Sequence, residues 1–313
     1  MFSDGSGHYR IPFLAQNVFK DSKSRCKAFH FQPFLVEKVI TGFSSFSQKK
    51  EKQTDWEKEN LKGKVKSITL TDYNAKKIFR KIKKGYSKGK KTTKFNNDGN
   101  LTEEVYYNSN GSLSWNWTYK YDNNGNRTEK IRYKPDGSLN SKWTYKYNDE
   151  GNRTEEANYK SEGSLSYKSS YKYYVNGNRI EHTKYRSDGS LLEKEVKKYD
   201  NKGNEIEKVW YDSDGDLRGK LTYKYDYKGN LTEESGYKSD GHLIWKSTYK
   251  YDNNGNEIEY AKYNFNGSFD SKETYQYEYD SNGNWTKKIE FEVKNEVVKT
   301  PKYIFERKIE YYD

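Results

Sequence analysis

Glycine recurs in this chain with a fixed period. One series falls at Gly99, Gly125, Gly151, Gly177, Gly203, Gly229 and Gly255, each 26 residues after the last, and Gly283 continues it after a two-residue insertion. A second series, at Gly111, Gly137, Gly163, Gly189, Gly215, Gly241 and Gly267, has the same 26-residue step and interleaves with the first at intervals of 12 and 14. Such a period means a repeat architecture, in which each unit buries its apolar surface against its neighbours. The first series stands in contexts such as YDNNGN, the second in contexts such as SDGSL. Asp, Asn, Lys or Pro shortly before Gly marks a tight turn that ends in a residue of positive φ. The spacing therefore predicts a type I turn with a G1 bulge every 12 to 14 residues. Strands of about eight residues join the turns.

Side chains alternate between the turns. If one face runs unbroken through every turn, Glu129, Ile131 and Tyr133 share it with Leu139, Ser141, Trp143, Tyr145 and Tyr147. That register sets Tyr133 opposite Leu139, Glu129 opposite Trp143, Tyr147 opposite Arg153 and Tyr145 opposite Glu155. The other face carries Lys142, Lys146, Lys168 and Lys172. A period of two with one polar face is a half-buried antiparallel strand. Only 31% of the chain is hydrophobic and 33% is charged, which alone would suit disorder. The 32 Tyr, 14 Phe and 7 Trp argue instead for a thin core of rings with wet hydroxyls. The expected fold is all-β, a continuous antiparallel meander of about 16–20 strands. A sheet that wide cannot leave an aromatic face in water, so it should roll or spiral into a solenoid-like wrap with the Tyr face inside.

Four segments follow: an extension over 1–60, an N-terminal cap with a basic hairpin over 61–98, hairpin repeats over 99–284, and capping strands over 285–313. Residues 29–52 run from apolar to small to charged, the order of an export or lipoprotein leader, with Glu37 and Lys38 interrupting the apolar part. A plain tail or a short accessory helix is the alternative. No apolar run is long enough for a transmembrane helix. One cysteine, Cys26, excludes an internal disulfide framework.

The pairs Tyr121-Asp122, Tyr199-Asp200, Tyr225-Asp226, Tyr251-Asp252 and Tyr279-Asp280 each precede a glycine of the first series by the same step. This pattern resembles the YD repeats of RHS and teneurin-type proteins. The tail resembles the ends of small exported hairpin-repeat proteins of Bacteroidetes-type bacteria. The resemblance implies an antiparallel sheet spiralling into a shell, exported or extracellular, that mediates adhesion or carbohydrate contact, here without a toxin domain. Asn126, Asn204 and Asn256 stand where that family commonly has Arg.

A column of carboxylates is the sharpest chemical feature: Glu103, Glu129, Glu155, Glu181, Glu207, Glu233 and Glu259. The register above places it on the aromatic face. Glycoside hydrolysis needs one distinctive pair of carboxylates, not a row of equivalents. The column therefore points to hydrogen bonding with Tyr hydroxyls, or to ligand contact by Glu129, Glu155, Glu181, Glu207 and Glu233. Trp210 and Tyr260 fall on the polar face in the same register, where exposed rings can stack on sugars. Asp212–Asp216 (DSDGD) resembles the start of a calcium loop, but Gly215 is fourth where an EF-hand needs a sixth-position glycine, so it reads as a turn. His8, His30, His182 and His242 have no metal-ligand spacing, and no metal or cofactor is expected. The net charge is +12, yet Lys76–Lys94 holds ten cations and no acid, leaving +2 for the rest. Nucleic acid needs a continuous basic path and is not expected as a partner. The basic stretch reads as a solvated hairpin guarded by Lys, or else as a dock for acidic glycan or lipid headgroups. The expected function is a non-enzymatic scaffold, secreted or in the cell envelope, that binds protein or glycan. A dedicated carbohydrate-binding module with Tyr/Trp/Glu subsites is the alternative, and a carbohydrate-active enzyme comes last.

Overall fold

Every residue of the YDxxGN motif has a job in the folded turn. In the computed structural model, which describes residues 53–294 and 298–313, the Gly125 N–H donates to the Asp122 carbonyl at 2.9 Å and the Asp122 N–H to the Asn126 carbonyl at 2.9 Å. Gly125 has φ of 70°, a left-handed conformation that side chains with a Cβ resist. One oxygen of Asp122 accepts from the backbone of Asn124 (3.0 Å) and Asn126 (2.7 Å), and the other from the Asn126 amide (2.9 Å). Asn126 is only 5% exposed and lies against Gly151 of the next such turn, as Asn152 lies against Gly177 and Asn178 against Gly203. Consecutive turns thus stack along the rim. The tyrosine reaches sideways. Tyr147 donates its hydroxyl to the Arg127 carbonyl (2.8 Å), Tyr173 to Arg153 (2.8 Å), Tyr199 to Arg179 (2.7 Å) and Tyr225 to Glu205 (2.8 Å). Each bond ties one unit to the unit before it.

The turns join eighteen strands: β1 (Val65–Ile78), β2 (Lys81–Phe95), β3 (Leu101–Asn108), β4 (Leu113–Tyr121), β5 (Arg127–Tyr133), β6 (Leu139–Tyr147), β7 (Arg153–Lys160), β8 (Leu165–Tyr173), β9 (Arg179–Arg186), β10 (Leu191–Tyr199), β11 (Glu205–Tyr211), β12 (Leu217–Tyr225), β13 (Leu231–Lys238), β14 (Leu243–Tyr251), β15 (Glu257–Asn264), β16 (Phe269–Tyr279), β17 (Trp285–Lys294) and β18 (Val298–Tyr311). Each pairs antiparallel with the next, as expected of a meander. The sheet does not stay open as a solenoid-like wrap. β18 pairs with β1 over a register running from Val65 opposite Tyr311 to Asn74 opposite Tyr303, and the sheet closes into a barrel. Closure removes both unpaired edges, which an open spiral would leave to water or to other chains. The capping strands over 285–313 are β17 and β18. Of the extension over 1–60, only 53–60 lies within the described residues, so the leader-like stretch over 29–52 falls outside them.

The predicted register fails at one point in every hairpin. Tyr133 does pair with Leu139, and Tyr147 with Arg153, as expected. Beside each of these pairs the ladder then shifts by one residue. Arg132 pairs with Ser141, so Lys130 rather than Glu129 faces Trp143, and Glu156 rather than Glu155 faces Tyr145. The extra residue is a β-bulge, and one unpaired residue exchanges the two faces of a strand. The predicted single face of Glu, Leu and nearly all Tyr therefore splits. Glu129 now faces Thr144, Ile131 faces Lys142, and Tyr159 faces Lys142 on its other side.

A short helix shows which face is inside. α1 (Asp55–Lys58) is closed by a capping box between Thr54 and Glu57. Asp55 accepts from the Leu101 N–H (2.9 Å), the Tyr121 hydroxyl (2.9 Å) and Arg127 (3.3 Å). Beyond the helix, Asn60 donates to the Asn254 carbonyl in the β14–β15 turn and the Lys62 N–H to Asn284 in the β16–β17 turn. The segment thus crosses the end of the barrel where the YD turns lie. The strand face it meets, which carries Tyr119, Tyr121 and Lys130, lines the interior. Under it sits the apolar cluster of Leu61, Val65, Ile68 and Phe95, with Trp56, Leu101, Ile309 and Tyr311 against it. Gly137 offers a clean test of the turns: it has φ of 82° and open space where a Cβ would go. Gly137→Ala should cost about 1–2 kcal/mol from backbone strain alone, measured by urea denaturation, while Ser138→Ala in the same turn costs less.

Candidate functional site

The outer wall carries the carboxylate column. Every glutamate of the column from Glu129 to Glu259 sits between two lysines from the flanking strands, and Glu103 pairs, among the described residues, with Lys94 alone. Glu129 pairs with Lys120 (2.9 Å) and Lys142 (2.5 Å), Glu155 with Lys146 (3.1 Å) and Lys168 (2.7 Å), and Glu181 with Lys172 (2.9 Å) and Lys194 (2.7 Å). Glu207, Glu233 and Glu259 repeat the arrangement with Lys198 and Lys220, Lys224 and Lys246, and Lys250 and Lys272. Hydrogen bonds from Lys120 and Lys142 hold the Glu129 carboxyl below the usual range. Lys120, Lys146 and Lys172 are each about two-thirds exposed (65, 72 and 68%). A belt of this kind binds its own lysines first. Its placement overturns the expectation that Glu129, Glu155, Glu181, Glu207 and Glu233 line an aromatic interior. A membrane barrel needs an apolar band on this face, and here the mid-strand positions are charged.

The inner wall from β3 to β8 is aromatic and basic. Trp117 and Trp143 lie 5.3 Å apart, and Trp115 lies 5.0 Å from Tyr106. The Lys130 ammonium stands 4.1 Å from the centre of the Trp117 ring, and the Arg132 guanidinium 4.9 Å from that of Trp115. Contacts of this kind fix a cation over a π face. Trp143 donates its indole N–H to the Tyr167 hydroxyl (2.9 Å). Tyr167 and Tyr171 donate to Glu156 (both 3.2 Å), and Arg153 completes the set at 3.0 Å. All three tryptophans remain half-buried. Closed barrels of eighteen strands are also wider than their own side chains can fill.

Farther round, the charge of the inner wall changes sign. Arg127, Arg153 and Arg179 open β5, β7 and β9, whereas Glu205 and Glu257 open β11 and β15. Arg127 lies over the Tyr119 ring (4.6 Å) and Arg153 over that of Tyr171 (4.4 Å). On the acidic arc, burial pushes Glu257 up to about 7, with Lys288 opposing and Glu273 adding to the shift. Burial likewise raises Glu234 and Glu290. Lys288 is depressed by burial, the carboxylates around it opposing. In a ring of eighteen, β4 to β6 lie across from β13 to β15, so the aromatic, basic strands face those that carry Glu234 and Glu257, while farther round Glu273 and Glu290 pair with Lys302. His182 stacks on Tyr171 with centroids 4.8 Å apart. Burial, then Arg179, lowers it to about 4 and keeps it neutral.

Trp210 and Tyr260 also change sides. Trp210 pairs with Glu195 and Gly219 on the inner wall, under Lys208 at 5.4 Å. Tyr260 faces Tyr249 there, 5.5 Å between centroids, with its hydroxyl 3.2 Å from that of Ser247. The bulges account for both corrections. Trp210 on β11 and Tyr260 on β15 do not share one site, and neither meets the glutamate column. DSDGD is a turn: Asp212 accepts from the backbone of Asp214 and Asp216. Trp115 and Trp117 lie on the face that the alternation makes aromatic, but Lys130, Arg132 and Glu156 fall on the polar face in the unbroken register and are brought inside by the bulges. The change from GNR at Arg127, Arg153 and Arg179 to GNE at Glu205 and Glu257 was a readable sign of the two arcs.

No protein-family model matches this chain, and no curated protein matches it, so the YD-repeat resemblance stands on its motifs. Among solved structures, it is similar to a porin-like protein from Bacteroides uniformis at 13% identity and a TM-score of 0.41, over 79% of this chain and 98% of that one. It is also similar to TcdB2-TccC3 at 12% identity and a TM-score of 0.28, over 68% of this chain but 15% of that one. Likeness of this degree carries no function over to this chain.

Adjacent glutamates give a test of the two faces. Glu156→Gln should cost about 2–3 kcal/mol, since one buried and two half-buried donors lose a charged acceptor. Glu155→Gln should cost under about 1 kcal/mol, as an exposed ion pair does. Chemical denaturation of the two variants measures the contrast. Glu257 gives a pH signature. Its folded value, about 7, lies above the ordinary 4.5, so its contribution is favourable in acid and is lost as pH rises through 7. Thermal unfolding of Glu257→Gln against the unaltered protein should show a gap that widens in favour of the variant with rising pH, by about 1–3 kcal/mol.

Proposed function

We propose that this barrel is a non-catalytic binding protein whose inner wall takes an acidic saccharide. The observation that supports the reading is the group Trp115, Trp117 and Trp143 with Lys130 and Arg132 set over the rings. The C–H face of a sugar ring is apolar and weakly positive, and it packs on an indole. Carboxylate or sulfate groups on the same sugar meet the Arg132 guanidinium already fixed over those rings. The acidic arc across the barrel repels an anion and so favours the aromatic side. Glu155 and Glu181, the carboxylates a lumen enzyme would have used, face outward between lysines. A place in the cell envelope or outside the cell belongs to the same proposal. It rests on the YD motif and on the leader-like order of residues 29–52.

Titration with acidic and neutral oligosaccharides, followed by tryptophan fluorescence, tests this. Acidic sugars should bind and quench, neutral ones far more weakly. Trp117→Ala and Arg132→Gln should each weaken binding about tenfold or more, the loss of roughly 1.4 kcal/mol or more. Equal affinity in both variants, or no saccharide bound at all, would refute the proposal.

A further inference from the structure

The β1–β2 hairpin outruns the wall. β1 keeps its partner β18 only as far as Asn74, and β2 meets β3 only from Gly89 onward. Beyond those points Ala75 pairs with Lys84, Lys76 with Lys83, Lys77 with Ile82 and Ile78 with Lys81, with no other strand beside them. The free ribbon is about 15 Å long at the rise of a β-strand. Register shifts on either side of Tyr73 mark where it begins. Only Lys84 of its cations has an acidic partner among the described residues, Glu306 at 2.6 Å. Lys76, Lys77, Arg80, Lys81 and Lys83 stand exposed without one.

Its tip is odd for a solvated turn. Phe79 is 96% exposed, and Ile78 beside it is 42% exposed. Phe79 also has φ of 55°, a conformation that two-residue hairpins give to Gly or Asn. Folding alone would favour another residue there. Farther up the ribbon Tyr86 is 67% exposed, and Val298, which opens β18, is 56% exposed. An apolar tip, a collar of cations and an amphipathic ring above them match the layers of an anionic bilayer.

We propose that this ribbon docks the barrel on a membrane carrying anionic lipid. Phe79 and Ile78 enter the acyl boundary, and the lysines and Arg80 lie at the phosphate level. The dock is independent of what the interior binds. Co-sedimentation of the full chain with two kinds of vesicle tests it, one of phosphatidylcholine alone and one with equal phosphatidylserine. Binding should require phosphatidylserine and fall with salt. Each cation at such a surface strengthens binding about fivefold, so K76Q/K77Q/K81Q/K83Q should lose about a hundredfold or more. Phe79→Gly separates docking from folding. It relieves the left-handed strain, so its Tm should hold or rise, while vesicle binding falls about tenfold or more for the lost ring. Equal binding to both vesicles overturns the proposal, as does unchanged binding by both variants. Failure to bind vesicles while binding duplex DNA through the same cations would overturn it in favour of a nucleic-acid ribbon.

Discussion

One extra residue beside each turn decides what this barrel can be. Without the bulges, the twofold alternation would run unbroken, and glutamates, leucines and tyrosines would share a face. With them, each strand enters its neighbour's ladder one residue out of step. Lysine and glutamate gather outside as charge belts beside tyrosines such as Tyr159 and Tyr237, while Trp117, Trp143, Tyr119 and Tyr171 gather inside with ion pairs such as that of Arg153 and Glu156. The YD tyrosines Tyr121, Tyr199 and Tyr225 support the device, because each hydroxyl bonds the carbonyl of the residue that opens a neighbouring bulged strand: Leu101, Arg179 and Glu205. A bulge unsupported in that way would leave a polar group to be satisfied by other means.

The inner wall follows from this exchange. A chain only 31% hydrophobic cannot build an oily core of ordinary size. It builds a wall in which rings carry the apolar area and charged groups are held by several partners each. Tyr119 shows the pattern: its hydroxyl meets Glu104 at 2.5 Å, and burial together with that carboxylate raises its pKa strongly. Desolvated charges cost free energy unless well paired. The acidic arc, with Glu257 pushed up to about 7, shows where pairing is incomplete.

Much of this was legible in the sequence. The glycine period gave the turn positions, the turn type and the antiparallel meander, because Gly125 and Gly137 occupy conformations that other residues resist. The first pairs beside the turns, Tyr133 with Leu139 and Tyr147 with Arg153, were also readable. What followed them was not. A bulge is set by backbone twist between paired strands and leaves no consistent residue type behind. Unbroken alternation therefore puts Trp210 and Tyr260 outside and the glutamates inside. Closure was hidden for a different reason. It depends on β18 meeting β1, residues over two hundred apart in the chain, and no local pattern records that pairing.

The register between β5 and β6 bears most directly on the account. In a background with Cys26 replaced by serine, the double variants Ile131→Cys/Lys142→Cys and Lys130→Cys/Lys142→Cys can be oxidised and the crosslink read by mass spectrometry. Directly opposed residues come close enough for a disulfide, and diagonal ones do not. The bulged register predicts a crosslink between positions 131 and 142 and none between 130 and 142. A crosslink at 130 and 142 alone would mean that the faces are never exchanged.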